Sequence, residues 1–557
     1  MSESPLDPDL LRRVAAWTEQ DPDPQTRQRV NVLLNAATEA SDSAAAELAD
    51  AFAGRLEFGT AGLRGALGPG PNRMNRVVVG QAAAALATYL LDQGLAGGRV
   101  IIGFDARHSS DVFARDTAEI MAGAGFAAMV TAGPLPTPVV AFGIRHLGCV
   151  AGVVVTASHN PPQDNGYKVY LGDGSQIVPP ADAEISARID EVARHRLADV
   201  PRSPVYATLD DDLVAAYLER VAALVPPEAP RDLRWVYTPL HGVGGSLVEQ
   251  AVALAGFPAG AVVAEQAAPD PDFPTVSFPN PEEPGAIDLA VARATEIEAD
   301  LVVANDPDAD RCAVATVVDG SWRMLSGDEL GALLGDDALR RGVRGTYACS
   351  IVSSSLLSVM AAAHGQPFVF TLTGFKWIGR VPGLAFGYEE AIGYCIDPEA
   401  VPDKDGISAL VRVLGLVAEL KAAGRTLADR LDEIAMRYGV YETEQLAVRV
   451  ADLGTISAAM ARLRTDPPAE LDGERVSVVD LAAGTDELPA TDAVLITGES
   501  VKVVVRPSGT EPKLKCYLET RRPPDSSIPL TQERRRARAR LARIRGEISV
   551  GLGLEPD

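Results

Sequence analysis

Cysteine is scarce and scattered. Five residues (Cys149, Cys312, Cys349, Cys395 and Cys516) are spread over a chain of 557, and no two form a CxxC pair. That spacing argues against zinc and against a disulfide framework, and it leads us to expect reduced thiols in a cytoplasmic setting. Positive charge is also in deficit: 51 Lys and Arg stand against 76 Asp and Glu, a formal charge of −25. Nucleic acids and anionic membranes need a basic face, so neither is expected as a partner. Long apolar runs are missing. The most apolar helical stretch, AAAALATYLL from Ala82 to Leu91, is far shorter than the ~20 residues that span a bilayer, and it reads as core. The opening MSESPLDPDLLRR is acidic and carries no apolar segment, so no secretory signal is expected. Two catalytic signatures are absent as well: the GxxxxGK[ST] phosphate loop and the GxSxG serine elbow.

What is present is ordinary for a large globular enzyme, with 47% hydrophobic and 23% charged residues. A chain this long exceeds what one core can serve, and length alone suggests about three to four domains. Residues 1 to about 55 have helical periodicity interrupted by DPDPQ. From Gly80 onward helices alternate with the strands RVIIGF, AAMVTA and VAGVVV, the rhythm of a doubly wound sheet. It restarts after a polar, Pro-bearing stretch near residue 205, with RWVYTPL and DLVVAN, and again near Ser326, with TYACSIV. After MRYGVYETEQLAV the texture changes to shorter strands and a helix, TQERRRARARLARIR. The expected architecture is three related α/β domains, 1–205, 206–324 and 325–436, followed by a C-terminal α+β domain, 437–557. The arginines of the last helix, from Arg534 to Arg545, flank Leu541 and Ile544 and read as a solvated helix face.

Four charged or polar loops follow apolar strands. The strand VAGVVV runs into Thr156-Ala157-Ser158-His159-Asn160-Pro161. Polar residues at the carboxyl end of a buried strand lie where open α/β sheets collect ligands. Ser158 is a candidate nucleophile with a basic neighbour, His159. By composition alone the hexapeptide is equally a plain turn. The hairpin GYKVYL–GDGSQI places Lys168 just beyond it. Upstream, FGTAGLRG brings Arg64 on a glycine-rich segment.

Strand DLVVAN delivers Asp306, Asp308 and Asp310, followed by Arg311. Three alternating carboxylates suit a hard cation such as Mg²⁺. An EF-hand is excluded, because Arg311 occupies the glycine position and Val317 the glutamate position. In the third segment, Gly374, Lys376 and the adjacent carboxylates Glu389 and Glu390 form a loop set suited to sugar hydroxyls, and Lys404 is assigned to the same segment. Near the end, VKVVV leads into Arg506-Pro507-Ser508-Gly509-Thr510, a phosphate cradle by composition. A serine nucleophile, a cation site, a hydroxyl-binding loop and a separate phosphate clamp together fit phosphoryl transfer on a phosphorylated sugar.

TASHNP, DPDADR, GYEEAIG and RPSGTEPK, in this order, resemble the α-D-phosphohexomutase superfamily from about Phe58 to Tyr517. FGTAGLRG, NGYKVY, TGFKWIG and EEAIGY resemble its branch of phosphoglucomutase/phosphomannomutases and phosphopentomutase-type enzymes. The resemblance implies four domains around a central cleft that closes on its substrate. It also implies a phosphoserine at Ser158, and one Mg²⁺ held by Ser158, Asp306, Asp308 and Asp310 with Arg311 beside them. Arg64, His159 and Lys168 would lie at the transferring group, with Lys168 or Arg64 assisting proton traffic. Glu389 would grip sugar hydroxyls, with Gly374, Lys376 and Lys404 lining the same cleft. Arg506, Ser508, Gly509 and Thr510 would hold the phosphate that is not moving. A glucose 1,6-bisphosphate activator and a monomer or homodimer are further implications. The activity implied is a sugar 1-phosphate/6-phosphate mutase on glucose, extending to mannose. Phosphopentomutase and sugar-1,6-bisphosphate synthase stay open as alternatives, and a non-catalytic sugar-phosphate-binding homologue is disfavoured by the intact Ser158 and aspartates. One departure bears on the sugar: many hexose-specific members have serine where this chain has Ala391.

Overall fold

A computed structural model describes residues 6–39, 41–449, 453–508, 513–525 and 527–553. They divide into two compact units, Met1–Ala315 with Asp397–Gly415, and Thr316–Ile396 with Leu416–Asp557.

In the first unit the interruption at DPDPQ is a helix start. Asp23 caps the helix Pro24–Thr38 by accepting the Gln25 N–H, and Pro24 occupies its first turn, as Asp7 and Pro8 do for Pro8–Gln20. The third helix is Asp42–Ala51, capped by Ser41. The first α/β sheet runs Leu63–Ala66, Asp164–Leu171, Ala151–Val155, Arg99–Phe104, Ala127–Val130, Ala207–Thr208. The four strands from Ala151–Val155 onward are parallel, and the two at the other edge are antiparallel. Ala151–Val155 is buried along its whole length, which is why its sequence is an unbroken apolar run. Helix Arg76–Asp92, which contains the apolar stretch at Ala82–Leu91, is core as expected. No helix among the described residues is long and apolar enough to cross a membrane. The second sheet aligns Ala261–Val262, Trp235–Thr238 and Leu301–Ala304 in parallel, with Ala313–Val318 antiparallel beside Leu301–Ala304.

In the second unit, Phe368–Thr371, Thr346–Ser350 and Leu384–Glu389 are parallel, and Gly393–Cys395 turns back antiparallel. The last sheet is wholly antiparallel, in the order Val440–Arg449, Lys513–Arg522, Val501–Pro507, Val494–Thr497, Ser477–Asp480. The expectation of shorter strands here is corrected: Val440–Arg449 and Lys513–Arg522 are ten residues each and pair along their full length. Val440–Arg449 is an edge strand with a largely half-exposed polar pattern, so it shows no apolar run to mark its length.

Helix Leu530–Leu552 packs on this sheet through Leu541, Ile544 and Ile548. Its arginines are matched by acids: Arg540 and Arg543 to Asp472, Arg540 also to Glu474, Arg538 to Glu442 and Arg545 to Glu444. The arginine-rich face is therefore a set of ion pairs. We expect Ile544→Ala to lower the midpoint of thermal unfolding, at a cost of about 2–5 kcal/mol for a cavity in this core. Arg538→Ala, at an exposed pair, should change stability by less than about 1 kcal/mol.

Candidate active site

The serine loop is built at the end of Ala151–Val155. Thr156 Oγ1 accepts the Ser158 N–H at 2.9 Å, and Ser158 takes a left-handed φ of 51°. This turn is costly for a non-glycine residue and aims the side chain away from the strand. Ser158 is 2% exposed. Its Oγ donates to Asp306 Oδ2 at 2.6 Å and lies 3.1 Å from His159 Nδ1. Burial, with Arg311 and Arg64 nearby, holds the His159 imidazole well below its ordinary pKa.

Arg64 reaches the same loop, its Nη1 donating to Asn160 Oδ1 at 3.2 Å. It gets there because Leu63–Ala66 pairs with Asp164–Leu171, Arg64 opposite Gly166. Gly62 makes that pairing possible: its φ is +77°, and a Cβ would lie 1.9 Å from Tyr167 O.

Strand Leu301–Ala304 opens into a tight loop. Asn305 Nδ2 donates to Arg311 O at 2.6 Å, the Arg311 N–H donates to Asp306 Oδ1 at 3.0 Å, and Ala309 takes a φ of 53°. The turn brings one oxygen of each of Asp306, Asp308 and Asp310 to within 4.8 Å of the others. All three residues are at most 1% exposed.

Such a cluster needs positive charge. Lys168 Nζ donates to Asp308 Oδ2 at 2.7 Å and to Asp310 Oδ2 at 2.9 Å, and Lys404 Nζ lies 3.3 Å from Asp310 Oδ2. Arg311 Nε is 3.8 Å from Asp310 Oδ1. Burial and the Asp310 charge push Asp308 up, but Lys168 outweighs them and holds it below the usual carboxylate range. Burial is likewise outweighed at Asp310, by Lys168, Lys404 and Arg311. At Asp306, burial with its two acidic neighbours outweighs Arg311 and pushes the carboxyl well above that range.

Lys404, from the third segment of the sequence, reaches the aspartates from a stretch, Asp397–Gly415, that packs with the first unit. Gly406 docks it there: its N–H donates to Ala309 O at 3.2 Å, and a Cβ would stand 2.2 Å from Arg311 O.

The donor set fits a hard divalent cation. Asp308 Oδ1 and Asp310 Oδ1 are buried and accept no hydrogen bond among the described residues. Anionic oxygens left this way are what a cation would satisfy.

In the second unit, Glu389 is the last residue of a strand, Leu384–Glu389, where a loop was expected. Its Oε1 accepts the Gly374 N–H at 2.6 Å, joining the GYEEAIG and TGFKWIG segments, and Lys376 lies on the short helix Phe375–Ile378. Arg506 lies near the end of strand Val501–Pro507, opposite Lys515, and the Ser508 N–H donates to Lys513 O at 2.8 Å. Gly509 and Thr510 lie outside the described residues.

Four family models cover most of the chain. Residues 55–196, 215–318 and 326–438 match alpha/beta/alpha domains I, II and III of phosphoglucomutase/phosphomannomutase, and residues 446–527 match its C-terminal domain. A Haemophilus influenzae protein named "Probable phosphomannomutase" is 49% identical over 80% of this chain and 93% of its own. The Homo sapiens phosphopentomutase is 36% identical over 93% of each chain. A Burkholderia thailandensis phosphoglucomutase/phosphomannomutase family structure matches with a TM-score of 0.70 at 20% identity, over 90% of this chain and 98% of that one, which supports the fold. The chain belongs to the α-D-phosphohexomutase superfamily.

As a phosphohexomutase-family protein it is an intramolecular phosphotransferase, a phosphosugar mutase, and its aspartate cluster is consistent with the family's metal site. Sequence reading of this mutase passed over Arg107. Its guanidinium is buried under the serine loop and donates to backbone oxygens there. The available signal was position: DARHSS also follows a buried strand, Arg99–Phe104, at its carboxyl end. Thr137 was missed too; its hydroxyl donates to Asp308 Oδ2.

Glu390 is the other carboxylate of interest in the mutase. Its Oε2 accepts from Ser350 Oγ at 3.0 Å and from Ser353 Oγ at 3.2 Å. Burial, with Glu389 and Asp328 nearby, pushes its carboxyl up to about 7. A carboxyl whose folded pKa is raised from 4.5 binds more protons folded than unfolded between those two values, so stability should fall as pH rises from 4.5 to about 7. Glu390→Gln should flatten that part of the profile. Thermal midpoints of parent and variant across this range check it, and parallel curves would exclude the ionisation.

Proposed function

We propose that the protein interconverts the 1-phosphate and 6-phosphate of glucose, and of mannose as a second substrate, through a phosphoserine at Ser158 and a bisphosphorylated sugar. The observation that carries this reading is the Ser158 hydroxyl hydrogen-bonded into a buried group of three carboxylates and two lysines. Ser158 hands its phosphoryl to a sugar hydroxyl, so the Oγ–P bond breaks as the new O–P bond forms. Lys168 or Arg64 assists the movement of the proton that leaves the accepting sugar hydroxyl, His159 and Arg311 flank the transferring group, and the second phosphate of the turned-over bisphosphate later returns to Oγ. A Mg²⁺ held by Asp306, Asp308, Asp310 and a Ser158 oxygen would supply neutralisation of the phosphoryl charge. Lys168 and Lys404 hold the aspartates in place. Glu389, Gly374 and Lys376 are proposed to contact sugar hydroxyls, and Arg506, Ser508, Gly509 and Thr510 the other phosphate. The segments 1–205, 206–324, 325–436 and 437–557 are our proposal for the domain borders.

A second reading is phosphopentomutase activity. It is favoured by Ala391, which removes a hydroxyl from the sugar loop, and by the similarity to the human phosphopentomutase over 93% of both chains. The loss of one hydrogen bond is worth about 1 kcal/mol, enough to shift preference but not chemistry.

Ser158→Ala should lower kcat by at least about 10³-fold, and intact mass should show a phosphoryl group on the parent that the variant lacks. Normal turnover by the variant would mean that another residue is the nucleophile. Chelation should abolish activity and Mg²⁺ restore it. We expect kcat/KM for glucose 1-phosphate to exceed that for ribose 1-phosphate by about tenfold or more, since a sugar pocket that binds one ring through extra hydroxyl contacts discriminates on that scale. The reverse ranking would establish the pentose reading.

A further inference from the structure

We infer that Arg107 is a positioning residue for the phosphoryl transfer, a guanidinium clamp that keeps the serine loop in its reactive shape. The inference rests on the proposal that Ser158 carries the phosphoryl group. Arg107 Nη2 donates to Ser158 O at 2.6 Å and to Asn160 O, and Nη1 donates to Pro161 O at 2.8 Å and Asp164 O at 3.1 Å. Four carbonyls spanning residues 158 to 164 therefore converge on one planar cation. Asp105 provides the counter-charge, its Oδ2 lying 3.4 Å from Arg107 Nε, and both side chains are 1% exposed.

Turning the Ser158 carbonyl inward is the structural counterpart of the left-handed Ser158 backbone that sends Oγ to Asp306. The clamp thus acts on the reacting oxygen through the backbone without touching it. A guanidinium suits this task because its donors lie in a fixed plane and serve two pairs of acceptors at once. An ammonium has three donors and no plane.

The clamp is also covered from the second α/β segment. The Phe273 ring lies against the guanidinium at 4.8 Å, on a residue with φ 45°, and His108 Nε2 is 2.8 Å from Asp272 Oδ1 beside it. The loop carrying Asp272 and Phe273 excludes water from the carbonyl bonds, which makes Arg107 hard to displace. The segment that carries the aspartates thereby also secures the loop that carries the nucleophile.

The test uses the full chain with Mg²⁺ and hexose 1-phosphate, comparing the parent with Arg107→Lys, Arg107→Ala and Phe273→Leu. Misplacing a reacting group by an ångström costs about 10²-fold, so Arg107→Lys should lose about that factor in kcat while KM changes by less than about threefold. Arg107→Ala should regain part of its kcat when guanidinium ion is added at non-denaturing concentration, a rescue that a merely structural residue would not show. Phe273→Leu keeps the four bonds and should lose about threefold to tenfold in kcat, so it remains informative if the arginine variants do not fold. Parent-like kcat in Arg107→Lys, or in Phe273→Leu where the arginine variants do not fold, overturns the assignment. So does a loss carried by KM alone. Absence of mutase turnover or of Ser158 phosphorylation in the parent would instead overturn the underlying reading, so the two failures are distinguishable.

Discussion

Three carboxylates held out of water within a few ångströms of one another repel, and the first unit is arranged around offsetting that repulsion. Lys168 comes from the first sheet, Arg311 from the aspartate loop itself, and Lys404 from a segment nearly a hundred positions later in the chain. The segment of Lys404 is held by the docking of Gly406 on the aspartate loop. The balance is incomplete. Asp306 is pushed well above the usual carboxylate range, and the buried Oδ1 atoms of Asp308 and Asp310 accept no hydrogen bond among the described residues. Buried carboxylate oxygens left without a donor are well matched to a divalent cation.

Two left-handed residues lie at the candidate site. Ser158 and Ala309 both adopt left-handed backbone, one in the serine loop and one between two of the aspartates. Conformations of this kind cost of order 1–3 kcal/mol each and persist only when surrounding contacts over-determine them. At Ser158 those contacts are Thr156, Arg64 through Asn160, and the four carbonyl bonds to Arg107. At Ala309 they are the Asn305 side chain, the Arg311 N–H and the Gly406 N–H.

The second unit handles paired acids differently. Glu390 has two serine hydroxyls on one oxygen, whereas Glu389 receives a backbone N–H from Gly374. Burial beside a neighbouring acid favours the neutral form of Glu390, so two adjacent identical side chains have different surroundings. On the C-terminal sheet the terminal helix makes the opposite choice and matches its arginines with acids at the surface.

Local sequence determined much of this protein. A buried parallel strand must be continuously apolar, and loops at its carboxyl end are free to carry charge. The sheets, Ser158 and the three aspartates could therefore be read directly from runs such as VAGVVV-TASHNP and DLVVAN-DPDADR. What only the tertiary structure decided depends on how distant segments return to one another. Lys404 joins the aspartates of the first unit because its loop folds back onto Arg311. Arg107 meets a loop 51 positions away through backbone oxygens, which every residue has and no motif records. The polar edge strand Val440–Arg449 concealed its length because one of its neighbours is solvent. Periodicity reports the immediate environment of a segment, whereas charge balance and carbonyl clamps are properties of the assembled fold.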